Sequence, residues 1–420
     1  MQPESPPEVV PASADGRRRR TIIVLAIIVA VGLVALGVSL TVADGGSSHP
    51  VAAAATTTTT PPHPDVSVTE LVPPANTNLP APGAPIGQNI YAFDGPNMLS
   101  PTVKDVPPRI YVPNSDANTV DVIDPATYKV IDHYAVGKLP QHVVPSWDLK
   151  TLYVTNDLSN SLTPIDPKTG KPSGPTIAVD DPYNMYFTPD GSQAIVVAEA
   201  RHHLDFRDAH TFKLQKQVTV TCDGVDHIDF SADGGYLIAS CEFSGELVKV
   251  DLKTETVMAY LKIGGKPQDV KVDPAGKIFY VADMNANGLH EIDGDSFTKV
   301  GFLPTGPEAH GLYPSRDAKY MYVSNRGGPA NQGSVSVVDF TTRQVVATWV
   351  IPAPSTPDMG GVSADGKVLW LAGRRTAEAY ALDTTTGKLL ARIKVGAGAH
   401  GLCVWPQPGR YSLGHTGILR

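Results

Sequence analysis

The chain has 420 residues, with 38 glycines, 38 prolines and 18% charged residues, a balance that favours many turns over long helices. Its formal net charge of −8 argues against a sequence-independent grip on nucleic acid, which needs a basic surface, so nucleic acid is not an expected partner. The three cysteines, Cys222, Cys241 and Cys403, show no CxxC or CxxCH spacing, which leaves covalent c-type haem and structural zinc unsupported.

In chain order, residues 1–20 end in Arg17–Arg20, and residues 21–43 then run without a charge. A bilayer core takes about 20 apolar residues as a helix, and a cleavable signal has a shorter core of about 7–15. Residues 21–43 are therefore expected to form a transmembrane signal-anchor, with cleavage after Ala43 as the alternative. The arginines hold residues 1–20 in the cytoplasm, which makes the chain a single-pass protein of the cell membrane with its C-terminal part extracytoplasmic. Residues 44–108, with a Thr run and several prolines, read as a solvated stalk and lead-in.

From residue 109 the sequence repeats. Stretches such as "LPQHVVPSWD", "GVDHIDFSAD" and "PEAHGLYPSRD" share a local frame with His142, Asn184, His227, Asp269, His310, Asp358 and His400, spaced 42, 43, 42, 41, 48 and 42 residues apart. A second series, "IYVPN", "LYVTN" and "MYVSN" among them, runs in step. A third carries Asp124, Asp166, Asp208, Asp251, Asp293, Asp339 and Asp383 ahead of turn-forming residues. Alternating β-branched and aromatic residues supply strands, and turns such as "TPDG" and "SADG" supply hairpins. Four strands per unit at a period near 40–50 signal a propeller blade. The reading is all-β: a seven-bladed β-propeller over 109–408, with a C-terminal tail at 409–420. Because 109–114 is a second strand with no first strand before it, a strand near 400–405 is expected to complete the first blade and remove the free sheet edge.

"LYVTN" and its variants, followed by "NTVDVIDPATYKVI", resemble the YVTN-type (YncE-like) β-propeller family over about residues 109–405. The resemblance implies a secreted or surface-exposed protein. More distant relatives include the haem d1-binding propeller of nitrite reductases and the streptogramin lyases, so the fold leaves function open.

In such a blade the first strand lines the central tunnel, so His400, His142, Asn184, His227, Asp269, His310 and Asp358 are expected to ring one mouth. One reading is architectural, a polar residue bonding the next blade's backbone in each copy. The other is a site: His142, His227, His310, His400, Asp269 and Asp358 suit a divalent transition metal in the tunnel through two or three ligands, or an imidazole acts as general acid or base. The loops after the second strands add Asn156, Glu199, Arg201, Glu242, Asp283, Asn325, Arg326 and Arg374. Of these, Asn325, Arg326 and Arg374, together with Asn184, are the candidate ligand-binding residues, the two arginines as a clamp for carboxylate or phosphate. His202 and His203 are adjacent and point oppositely in a strand. The tail is expected to cross the ring and bring His415 near the closing blade. Cys222 and Cys241 flank the hairpin of the fourth blade and, outside the cytoplasm, are expected to pair.

Two functional classes follow. The first is a membrane-anchored module that binds an extracytoplasmic ligand or protein. The alternative is a metal-dependent lyase or hydrolase using the His/Asp ring. Haem d1 or electron-transfer chemistry is a third possibility that the histidines permit.

Overall fold

Turn chemistry builds the blades. In each unit the aspartate closing the third strand accepts the backbone N–H of a residue two or three further on, as Asp251 does from Thr254 and Asp383 from Thr386, both at 2.7 Å. Such Asx turns let a short polar side chain replace a backbone partner at the reversal. The computed structural model describes residues 89–420. The proposed anchor at 21–43 lies outside the described residues. Among the described residues, no helix is long and apolar enough to cross a membrane.

Seven antiparallel sheets follow in sequence. The inner strands of the second to seventh blades are Pro140–Pro145, Pro182–Phe187, Val225–Phe230, Pro267–Val272, Ala309–Pro314 and Pro357–Val362. The first blade is closed as expected: Cys403–Trp405 pairs antiparallel with Arg109–Asn114, setting Arg109 opposite Trp405 and Tyr111 opposite Cys403. The outermost strand of the second blade is split into Lys171–Pro172 and Ile177–Ala178. Prolines at 172 and 175 cannot donate to a ladder.

Burial follows position in the blade. The inner three strands are buried nearly throughout, whereas outer strands such as Gln344–Val350 alternate exposed and half-buried. An inner strand is covered on both faces by neighbouring blades, while an outer strand keeps one face in water. The apolar core therefore lies between blades, in clusters such as Tyr186, Phe206, Phe230 and Leu237.

The underside of the ring is covered by other parts of the chain. Ile90 N–H donates to the Pro274 carbonyl and Tyr91 Oη to the Val272 carbonyl. Residues 409–420 form a small hairpin, with Leu413 N–H bonded to Ile418 O and Arg410 N–H to Arg420 O. This hairpin enters the tunnel from below. Ser412 N–H bonds Trp147 O, Leu413 O accepts from Phe187 N–H, and at the tip His415 N–H bonds Met185 O. Arg420 donates to Asp229 at 3.0 Å.

Candidate functional site

The inner strands reach the tunnel through a bulge. In the second, fourth, fifth, sixth and seventh blades the pairing register shifts within the first four residues, as between Pro140 and Val143 or Pro357 and Gly360. The third blade shifts at the same place. The bulge leaves two consecutive residues outside the ladder in five of these blades and one, Tyr183, in the third, so strict alternation of the side chains is lost. Two stacked layers result.

This corrects the sequence frame. Pairing with the second strand aligns Pro140, Pro182, Val225, Pro267, Ala309 and Pro357. The residue after each gives an upper layer of Gln141, Tyr183, Asp226, Gln268, His310 and Asp358, with His400 from the closing blade. The next residue gives a lower layer of His142, Asn184, His227, Asp269, Gly311 and Met359, with Gly401. His310, Asp358 and His400 thus belong one residue earlier in the frame than His142, Asn184, His227 and Asp269. The 41-residue step between Asp269 and His310 marks that slip. The lower layer is confirmed by the second strands: His142 N–H bonds Thr155 Oγ1, His227 N–H bonds Ser240 Oγ and Gly311 N–H bonds Ser324 Oγ.

The layers touch each other. Between the layers, the ring centroids of His142 and His400 are 4.8 Å apart and those of His227 and His310 6.2 Å; within the lower layer those of His142 and His227 are 5.5 Å apart. Gly401 permits the closest approach, since a Cβ there would overlap the His142 ring. Into the gap left by the small residues of the lower layer comes His415, 5.1 Å from both His142 and His227 by centroid. The expectation that the tail reaches the ring holds. Its histidine ends in the middle of the cluster rather than beside the closing blade.

Charge is arranged unevenly. Asp358 takes His400 Nδ1 at 2.8 Å, His310 Nδ1 at 3.0 Å and Arg326 at 2.6 Å. Burial pushes its carboxyl up, but Arg326 and the two imidazoles outweigh that and hold it well below the usual range. On the other side, Asp226 is fully buried, and burial followed by the Glu242 charge raises it well above the usual range. Burial lowers every histidine of the cluster: His227 to about 4, His310 to about 3, and His142, His400 and His415 well below the ordinary value. At neutral pH these are uncharged imidazoles with lone pairs to offer.

The remaining sequence candidates divide by role. Asp269 spends both oxygens on backbone, accepting Leu312 N–H of the next blade at 2.8 Å and Val270 N–H at 2.9 Å. That is the architectural use. Asn325 is likewise committed, taking Gly306 N–H and donating to Ser334 and Ser336. Asn156 binds Gly137 N–H, and Asp283 binds Lys266 N–H and His290. Asn184 donates to Tyr186 Oη and faces His415 Nδ1 at 2.9 Å. Arg326 is pinned to Asp358 rather than free to clamp an anion. Arg374 is half-buried at the mouth with one long bond to Ser115. His202 bonds the Cys222 carbonyl, and His203 pairs with Asp205 away from the tunnel. Tyr183 was not anticipated: it sits over the cluster, its hydroxyl 3.5 Å from His400 Nε2. The sequence signal was its place between Pro182 and Asn184 in the repeat frame.

Cys222 and Cys241 form a disulfide with Cα atoms 5.9 Å apart, and Cys403 is a buried thiol.

A family model described as "YNCE-like beta-propeller" matches residues 101–408. The uncharacterized protein YncE of Salmonella typhi is 22% identical over 267 residues, covering 59% of this chain and 73% of that protein. Among solved structures, hydrazine synthase of Kuenenia stuttgartiensis aligns with a TM-score of 0.52 at 20% identity, over 62% of this chain and 87% of the other. A functionally unknown protein from Desulfotomaculum acetoxidans aligns at 0.59 and 15% identity, over 70% and 98%. At these identities the solved structures speak for the fold alone.

Proposed function

The chain belongs to the YncE-like β-propeller family, and from that premise we propose that it is a ligand-binding module. In this reading residues 21–43 tether it to the cell membrane, the stalk lifts it clear, and the propeller faces the extracytoplasmic side. The ligand is small and polar and enters at the upper mouth of the tunnel. One observation carries the reading: the two ends of the ring's axis differ, packed chain at one and charge at the other. The lower end is filled by the 409–420 hairpin, and the upper end is walled by half-buried charges of both signs. Glu199 and Glu242 stand on the third and fourth blades, and Arg326 and Arg374 on the sixth and seventh. Pockets with a few convergent polar groups are the usual form of a small-molecule site.

The test is thermal unfolding of the full chain against a panel of amino acids, carboxylates, phosphate esters and divalent cations. A ligand at about 100 times its Kd stabilises by roughly 2.7 kcal/mol, enough to shift Tm by several degrees. The shift is expected to vanish in Tyr183→Ala and Arg374→Ala. It should persist in Val346→Ser, which alters the groove of about 530 Å³ on the outer flank between the sixth and seventh blades. A stabilising ligand indifferent to both mouth variants but lost in Val346→Ser would move the site to the flank and refute the proposal.

A further inference from the structure

Three buried imidazoles in the tunnel have nitrogens to spare, and those nitrogens face one another. One ring nitrogen from each of His142, His227 and His415 lies within 4.8 Å of the others. The spare atoms can be named from their partners. His142 Nδ1 lies 3.0 Å from the Tyr183 carbonyl. A carbonyl only accepts, so Nδ1 carries the proton and Nε2, buried and without a partner, holds the lone pair. His227 has neither nitrogen in a hydrogen bond, though Nδ1 lies 2.5 Å from Asp226 Oδ1, which leaves Nε2 for the tunnel. His415 Nδ1 accepts from Asn184 Nδ2 at 2.9 Å, which puts the ring proton on its buried, unpartnered Nε2, so binding an ion through Nε2 requires the Asn184 amide to turn and take the proton on Nδ1 with its Oδ1. Buried polar atoms are almost always satisfied, so three orphans around one point call for an occupant.

We propose that His142, His227 and His415 bind one divalent transition-metal ion of the zinc class, with the third ligand delivered by the C-terminal hairpin. This inference rests on the tunnel being the binding site. It goes further by identifying the ion and by adding a ligand from outside the repeats.

The chemistry of the donor set fits. Neutral imidazoles bind Zn²⁺ at about 2.0–2.1 Å, and three of them leave one position open. In a tetrahedral site such ligands stand about 3.4 Å apart, so nitrogens within 4.8 Å need only small ring movements to close. Metal-bound histidines are generally oriented by an acceptor behind them; here the Tyr183 carbonyl takes His142 Nδ1–H, Asp226 Oδ1 lies 2.5 Å from His227 Nδ1, and Asn184 would serve His415 through Oδ1 once its amide turns. Two of these supports, Tyr183 and Asp226, come from the upper layer, so the bulge that creates two layers also creates ligand and support together. Asp269 Oδ1 is 3.9 Å from His415 Nε2, and its charge offsets that of a cation.

The experiment uses the full chain, purified without a histidine tag and stripped with a chelator. Zn²⁺ titration by calorimetry is expected to show one ion per chain. Co²⁺ in its place should give the visible absorption of a tetrahedral, thiolate-free site. His415→Ala and His142→Gln should each weaken Zn²⁺ binding at least about 100-fold, while His202→Ala leaves it unchanged. Circular dichroism of the metal-free variants establishes that they fold. If His415→Ala does not fold, His142→Gln carries the same decision. A wild-type chain that takes up no ion, its cluster satisfied by water alone, overturns the proposal. So does a folded variant that keeps the wild-type affinity. If the chain takes no ion but still binds another ligand that depends on Tyr183 and Arg374, the metal site alone fails. If the ion binds but no ligand responds to the mouth variants, the fault lies with the mouth.

Discussion

His310 shows how a single residue in this tunnel couples charge to stability. Burial first, and then Arg326, hold its imidazole at about 3 in the folded chain. In the unfolded chain a histidine titrates near 6.5. The folded value is depressed, so below pH 6.5 the unfolded state binds a proton that the folded state refuses. Stability from this neutral imidazole is complete above pH 6.5 and falls as pH drops toward 3. One proton of difference corresponds to about 1.4 kcal/mol per pH unit. Other groups oppose the trend: burial raises Asp94 to about 6 and also raises Asp157, and both favour the folded state at the acid end of that range. The comparison of variants is therefore decisive. In urea unfolding of the chelator-treated chain between pH 7 and 4, His310→Gln should lose stability less steeply than wild type, by up to that slope. Parallel lines would mean that His310 is protonated in the folded chain.

At the scale of the element, the fourth blade carries the one covalent cross-link among the described residues. The disulfide joins residues 19 apart, tying the start of Val225–Phe230 to the end of Tyr236–Cys241. His227 lies on that inner strand. Closing a loop of this size removes unfolded-state entropy worth about 3 kcal/mol, and small measured cases run about 2–4. The double variant Cys222→Ser/Cys241→Ser should lose that amount in denaturant unfolding. A loss well under 1 kcal/mol would show that strand pairing alone holds this end of the blade. The hairpin of residues 409–420 is the other element that matters to the site. Tyr411, Leu413, Ile418 and Leu419 are all buried, so the hairpin is packed as core and not draped over a finished ring.

For the whole molecule, the proposed tether makes a prediction about the side of the membrane on which the propeller stands. Leu158 is 67% exposed in a loop of the second blade, while Cys403 is buried and the other two cysteines are paired. A Leu158→Cys variant therefore presents one accessible thiol. If the propeller is extracytoplasmic, a membrane-impermeant maleimide should label intact cells as fully as permeabilised ones. Labelling that requires permeabilisation would place the propeller inside and remove the basis for the tethered reading.

Much of this architecture was legible because it is written locally and repeated. The period, the Asx-turn aspartates and the strand alternation each depend on residues close in sequence, and seven copies make the pattern plain. Closure of the first blade by Cys403–Trp405 followed from counting strands, and the Cys222–Cys241 pairing from counting back from one hairpin turn. The site was legible only in part. The histidines of the inner strands could be assigned to the tunnel, but the bulge that sets His310, Asp358 and His400 one residue out of frame depends on hydrogen bonds between strands and blades. Nor could sequence show that Asn325 and Asp269 spend their polar atoms on backbone, because those partners lie 19 and 43 residues away. What the sequence determined by itself is a seven-bladed ring with imidazoles facing its axis. What only the tertiary structure decided is that the C-terminal hairpin rises into that axis and sets His415 against His142 and His227. That placement comes from packing a nonrepeating segment against several blades at once, and no local pattern encodes a contact spanning 273 residues.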